Sequence, residues 1–458
     1  MARVFGADHR VLILAVARMG EAAASGFILI ALPLYIASEV VSGFSFGLDT
    51  ALISGIIISG GLLLTIVPQP IAGYLSDTFG RRKPFAVVSL AVRSVTAFLF
   101  TLATVYPLVL LFQFITSVAS AVFTPAAMAL ITEYSDPETR AVNFGAYTSL
   151  RLVGAVAGPL AAGGLIADGP YEVAVLGSVT GFEAAFYIAA LGILVSLVLT
   201  QLFVYDPPET TATAREDISV NIFADEPDRT FDPVFVLALA TVLFGGTTYL
   251  ITAIQPEINT RLNQTAATFS LQFVAPIAIL ALLGPVFGKL ADRYGRRPFL
   301  VVSGLFVVPG VLLQGFATSS MMLLAGSVVI GIGMALAFAP AVALVGDLSD
   351  GTGAGTQLSL LTMSLYLGQA IGPLVAGFFV TFWFPLPFLI VSVQIPSLNS
   401  RGVLPPPRCE PLFDVLAKPL NQAFKCLRWR CFRFRFSWSD TVSVFLGDRL
   451  IDDISFSF

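Results

Sequence analysis

The chain has 458 residues, 56% of them hydrophobic and only 12% charged, with a formal net charge of −4. A soluble globular domain carries about 25% charged residues, so this composition excludes a water-facing exterior and places most of the chain in lipid. Its acidic balance argues against nucleic acid as a partner.

The apolar runs are too long and continuous for the alternating segments of about 10 residues that build a β-barrel, which leaves helices of about 20 apolar residues each. The first run, Val11 to Ile36, exceeds a signal-peptide core and leads into further apolar segments, so it reads as a transmembrane helix. Hydropathy predicts ten more helices over 49–75, 84–106, 107–132, 143–167, 181–204, 233–256, 268–290, 298–317, 320–346 and 357–381. A twelfth begins near Phe384 but meets Pro396 after half a span. The expected organisation is a transmembrane half over 1–204, an acidic Pro/Thr-rich linker over 205–232, a second half over 233–395, and a tail over 396–458.

Charges within the spans are costly and mark functional candidates. Arg18 and Glu21 stand three residues apart on one face of the first helix, and Glu21 lies about 15 Å from Val11, near mid-membrane. Arg93 and Arg151 fall in the third and fifth helices. The second half offers neutral groups at similar depth, among them Thr247, Thr248, Tyr249, Gln272, Tyr366 and Gln369. Burial disfavours the charged form of a carboxyl group, which is what a proton carrier needs, so Glu21 is the candidate carrier. The alternative is a structural Arg18–Glu21 pair, neutralised in place. The only histidine, His9, precedes the first helix, which excludes an intramembrane histidine relay.

The two halves repeat one another. GYLSDTFGRRKP at 73–84 returns as GKLADRYGRRP at 288–298, so Gly73, Asp77, Gly80, Arg81 and Arg82 match Gly288, Asp292, Gly295, Arg296 and Arg297. Glu133 pairs with Asp347, and Gly154, Gly158, Pro159 and Gly163 pair with Gly368, Gly372, Pro373 and Gly377. Such a repeat of about six helices is the signature of a transporter whose site lies between the repeats near mid-membrane. The bases cluster in loops on one side, which the positive-inside rule makes cytoplasmic together with the amino terminus and linker.

These features resemble the major facilitator superfamily. Its loop pattern, Gly-x-Leu-x-Asp-x-x-Gly-Arg-Arg/Lys, is matched by Gly73, Leu75, Asp77, Gly80, Arg81 and Arg82, and again from Gly288 to Arg297. RLVGAVAGPLAAGG at 151–164 is similar to the superfamily's antiporter motif, with one extra residue between Pro159 and Gly163, and the same small residues serve helix packing. Gln113 stands where many exporters of the superfamily carry an arginine, so Arg93 and Arg151 are the available replacements.

The resemblance implies an all-α membrane protein of two pseudo-symmetric six-helix halves, its twelfth helix incomplete. It further implies a proton-coupled exporter of drugs or other small organic solutes that acts as a monomer in the plasma membrane, without cofactor, metal or enzymatic activity. The runner-up is a proton-linked importer of sugars or organic acids, with Arg93 and Arg151 binding an anion. A reading of another class is a receptor or scaffold that retains the fold. In the loops, Gly73 would allow a close helix approach and Gly80 a tight reversal. Asp77 would face the start of the eleventh helix. Arg81 would reach Glu133 or Asp136, Asp292 the start of the fifth helix, and Arg296 either Asp347 or Asp350. These contacts would form a cytoplasmic gate. The plainer reading is that the bases merely obey membrane topology.

From about Val393 residue usage shifts abruptly: the tail holds Cys409, Cys426 and Cys431, which have no metal-finger spacing. The shift reads as a change of reading frame; the alternative is a basic-aromatic tail on the inner leaflet. Sequencing the gene across codons 380–400 checks this: a displaced frame is expected, and an undisturbed one with full-length protein removes the idea.

Overall fold

The computed structural model describes residues 3–4, 7–135, 140–174, 177–206, 233–348 and 354–392. A two-stranded ribbon, β1 (Arg3–Val4) and β2 (Ala7–Asp8), leads into α1 (His9–Ile36). The second span is two helices, α2 (Thr50–Ile66) and α3 (Pro68–Phe79), because Pro68 can open a helix but cannot continue one. The Asp49 carboxylate accepts from the Ala51 N–H at 3.0 Å and starts α2. There follow α4 (Lys83–Leu99), α5 (Tyr106–Glu133) and α6 (Arg140–Asp168). An antiparallel hairpin of β3 (Tyr171–Val173) and β4 (Gly177–Val179) precedes α7 (Gly181–Phe203), which opens on a Thr180–Glu183 capping box.

In the second half, α8 (Pro233–Ala253) bends by 61° into α9 (Gln255–Arg261). Then come α10 (Ala266–Tyr294), α11 (Arg296–Gly315), α12 (Ser320–Leu348) and α13 (Ala354–Phe379). All eleven expected helices are present. The main difference is at the third, which ends at Leu99 and passes through a short 3-10 turn rather than reaching residue 106. Among the described residues, nine helices are long and apolar enough to cross a membrane, or ten with the bent pair. A further helix begins at 386–392, where description ends, so a complete twelfth helix and the cysteine-bearing tail lie outside the described residues. The linker from 207 to 232 does too.

Helix α1 packs against α6 and α7, and α4 against α5 and α7. In the other half α8 packs against α13, and α12 against α10 and α11. The halves meet through α2 on α13 and α6 on α10. Under the sequence repeat α2 corresponds to α10 and α6 to α13, so each inter-half seam is the repeat of the other.

The repeated glycines make both kinds of seam. A Cβ on Gly154 or Gly158 would overlap the Met19 or Ala23 carbonyl of α1, whereas one on Gly163 would lie 2.7 Å from the Ala266 carbonyl of α10. In the repeat, a Cβ on Gly368 or Gly372 would overlap the Val242 or Gly246 carbonyl of α8, and one on Gly377 would lie 2.5 Å from the Ala51 carbonyl of α2. The first two glycines of each motif therefore seat a helix of their own half, and the last seats a helix of the other. Pro159 packs its ring on Gly26, where a Cβ would clash. Gly158→Val should cost about 1–3 kcal/mol by overpacking. Thermal unfolding in detergent checks this, with Gly164→Ala, which has no heavy atom within 4 Å of an added Cβ, expected to melt like wild type.

Candidate translocation site and gate

The charged centre is built by α1 and α4. Glu21, 3% exposed, accepts from Arg18 Nη1 at 2.6 Å on Oε2 and from Ser25 Oγ at 3.0 Å on Oε1. Arg93 on α4, also buried, donates Nη1 to the same Oε1 and Nη2 to Ser25 Oγ at 2.7 Å. The Arg18 guanidinium lies 5.2 Å from the Phe123 ring centre. Two guanidiniums against one carboxylate leave the cluster net positive. Any proton exchange at Glu21 requires one of these contacts to open. Sequence reasoning paired Arg18 with Glu21 by spacing but did not join Arg93 to them. The available signal was depth, because Arg93 lies ten residues into α4, about 15 Å, matching Glu21.

Arg151 sits mid-way along α6, half-buried, and forms no hydrogen bond or ion pair among the described residues. One turn earlier on the same face is Tyr147, fully buried, whose hydroxyl has no partner. Tyr147 is close enough to Arg18, Glu21, Arg151 and Tyr366 to interact electrostatically, and Tyr249 is similarly close to Arg151 and Tyr366. Tyr366 on α13 thus stands within electrostatic range of this region from the second half. Tyr147 and Ser25 were missed by sequence reasoning, although Tyr147 stands at the helical spacing from Arg151.

Other expected residues are placed elsewhere. Gln113 faces α2, its amide nitrogen 2.7 Å from where a Cβ on Gly61 would stand, and it does not join the charged cluster. Gln369 lies in the α8–α13 seam beside Gly245. Gln272 is tied to Gln264 at 2.8 Å and to the Ser320 carbonyl at 3.1 Å.

At the repeated loops, Gly80 and Gly295 turn the chain with φ of +61° and +90°, where a side chain would be strained. Gly73 makes no tight approach, since a Cβ there would meet only Pro125 at 3.7 Å. Gly288 lies near the end of α10. The arginine that reaches Glu133 is Arg82 rather than Arg81: Arg82 is fully buried, its Nε 3.4 Å from Glu133 Oε1 and its Nη1 3.2 Å from Ser76 Oγ. Arg81 is exposed, because the reversal at Gly80 turns the second arginine beneath the start of α4. Asp292 is 65% exposed and pairs with Arg296 at 3.7 Å within its own loop, where a helix terminus of the other half was expected. The side chains of Asp77, Arg297 and Asp347, with Asp136 and Asp350, lie outside the described residues.

One contact of this face was not foreseen. Asp206, at the start of the linker, accepts the backbone N–H groups of Arg82 at 2.8 Å and Lys83 at 2.7 Å, which caps α4 from 124 residues away. Lys83 Nζ reciprocates by donating to the Gln201 carbonyl at 2.7 Å near the end of α7, and it sits 4.9 Å from the Tyr205 ring centre. The Tyr134 hydroxyl donates to the Tyr205 carbonyl and accepts its N–H at 3.1 Å.

Two repeated helical halves, joined by equivalent seams and holding a buried charged centre, agree with the architecture the loop motifs implied. Residues 14–230 and 237–394 match the Major Facilitator Superfamily. The chain belongs to that superfamily. Facilitator-superfamily relatives include an uncharacterised MFS-type transporter of Methanocaldococcus jannaschii, 24% identical over 71% of this chain and 81% of its own length. The quinolone resistance protein NorA of Staphylococcus aureus is 24% identical over 77% of this chain and 85% of its own. Among solved structures, a bacterial homolog of the human lysosomal transporter Spinster superposes with a TM-score of 0.66, at 18% identity, over 86% of this chain and 92% of that one. The chain is therefore a multi-pass membrane protein of a transporter family.

Asp206→Ala should remove the charged cap of α4 and cost about 1 kcal/mol. A lower melting midpoint in detergent is expected; an unchanged midpoint removes Asp206 from the support of this loop.

Proposed function

We propose that this facilitator-superfamily protein is a secondary active transporter that works by alternating access and exports small organic solutes, drugs among them, with proton coupling. The observation that carries the reading is the buried Arg18–Glu21–Arg93 centre near mid-membrane, matched by no charged residue at that depth among the described residues of the second half. Buried ionisable groups inside spans mark substrate and proton pathways. Glu21 is the proton site, and Arg18 and Arg93 are the cations whose contacts open and close as it loads. The similarity to NorA supports export.

The two halves, 1–204 and 233–395, rock about the seams between α2 and α13 and between α6 and α10, and the segment 205–232 links them. The bases of the 80–83 and 293–297 loops favour a cytoplasmic placement of that face, together with the amino terminus, in the plasma membrane. The close inter-half approaches at Gly163 and Gly377 lie toward the opposite ends of their helices, which supports a state open on the arginine-loop side. Both walls of the path come from one chain, which supports a functional monomer.

Proteoliposomes with an imposed pH gradient test the reading. Gradient-driven flux of a quinolone is expected, and Glu21→Gln should abolish it while leaving exchange of labelled against unlabelled solute. Undiminished gradient-driven flux in the variant removes Glu21 as the coupling group, and absence of flux across a drug panel removes export.

A further inference from the structure

We infer that Arg151, Tyr147 and Tyr366 form an anion-recognition subsite, and that the solute carried is a small organic acid. This inference rests on the transport reading above and names its substrate class.

The argument begins with charge balance. Among the described residues deep in the spans, Arg18, Arg93 and Arg151 face a single carboxylate, Glu21, so two positive charges are left over. Glu21 already accepts from Arg18, Arg93 and Ser25, so its negative charge is more than balanced before any cationic solute arrives. Arg18 and Arg93 are committed to Glu21, whereas Arg151 has no partner among the described residues. It lies eleven residues into α6, about 16 Å along the helix axis, beyond the reach of a lipid headgroup at the membrane surface. An unpaired guanidinium at that depth is costly unless it lines a cavity or meets an anion.

The hydroxyl of Tyr147 gives the second, independent observation. Tyr147 is fully buried, its hydroxyl has no hydrogen-bond partner, and it stands one turn from Arg151 on the same face of α6. A buried hydroxyl left unmade costs about 1–3 kcal/mol, so both neighbouring groups gain from one ligand. Tyr366 on α13 lies within electrostatic range of Arg18, Tyr147 and Tyr249, so the second half can add a phenol donor to this region. A guanidinium is a donor only, and each phenol can donate. A carboxylate or sulfonate, which only accepts, fits that set; an ammonium does not.

The test uses three solutes of similar size, p-toluenesulfonate, p-toluenesulfonamide and benzyltrimethylammonium, with the full-length protein. Binding is read as stabilisation against heat in detergent, and flux in vesicles of neutral phosphatidylcholine, where no anionic headgroup can fill the site. The sulfonate alone should bind. Arg151→Gln should weaken it by about tenfold or more, the loss expected for one hydrogen bond to a charged group. Tyr147→Phe should weaken it less, and Arg151→Lys should recover part of the affinity. The unliganded melting midpoint of each variant, compared with wild type, separates loss of the subsite from loss of fold. Sulfonate binding no stronger than that of the cation or amide, or full affinity in Arg151→Gln, overturns the inference. Quinolone flux without anion preference overturns it and leaves the transport reading standing. Sulfonate stabilisation abolished by Arg151→Gln, with no flux of any solute, keeps the subsite and removes the transport reading.

Discussion

Within a bilayer, helices gain little from excluding water, because lipid tails are as apolar as the side chains they would replace. Association then depends on how closely backbones approach. The contact on which the rest of this protein depends is the seam between α1 and α6, where Gly154 and Gly158 rest on the Met19 and Ala23 carbonyls. Its repeat between α8 and α13 does the same through Gly368 and Gly372. Each of these helices then turns its last motif glycine to the opposite half. One short pattern thus builds a half and joins it to its mate.

The seam also positions the charges. Glu21 lies midway between Met19 and Ala23, the two residues whose carbonyls touch α6, and Arg151 precedes Gly154 by three residues. Depth and rotation of the arginine relative to the Glu21 cluster are consequently set by backbone contact, not by attraction between the charges. Arg93 is brought in from α4, a helix held by α5 and α7. Fixing charges by packing would suit the anion subsite proposed at Arg151, which must stay unpaired until its ligand arrives.

Much of this was legible in the sequence, since lipid imposes length and hydropathy on each span and the repeat imposes register. The Arg18–Glu21 contact could be read because both residues share a helix. Contacts between helices could not. Arg93 meeting Glu21, Asp206 capping α4 and Tyr147 standing unpartnered all depend on how helices far apart in the chain are rotated toward one another. The exchange of Arg81 for Arg82 has a more local origin. A reversal at a positive-φ glycine decides which of two adjacent bases turns inward, and hydropathy carries no trace of that choice.

The seams have a further consequence for how such a chain can drift in sequence. Every glycine of the pattern presses on a carbonyl oxygen, an atom common to all twenty residue types. Small residues are nonetheless needed on the facing helices as well, since a Cβ on Gly26 of α1 would clash with the Pro159 ring and one on Gly245 of α8 would lie 2.3 Å from the Leu365 carbonyl of α13. Recognition between these helices is therefore reciprocal, with glycines on both partners of each seam. Distant members of the superfamily would keep small residues on both partners of each seam while the side chains between them drift.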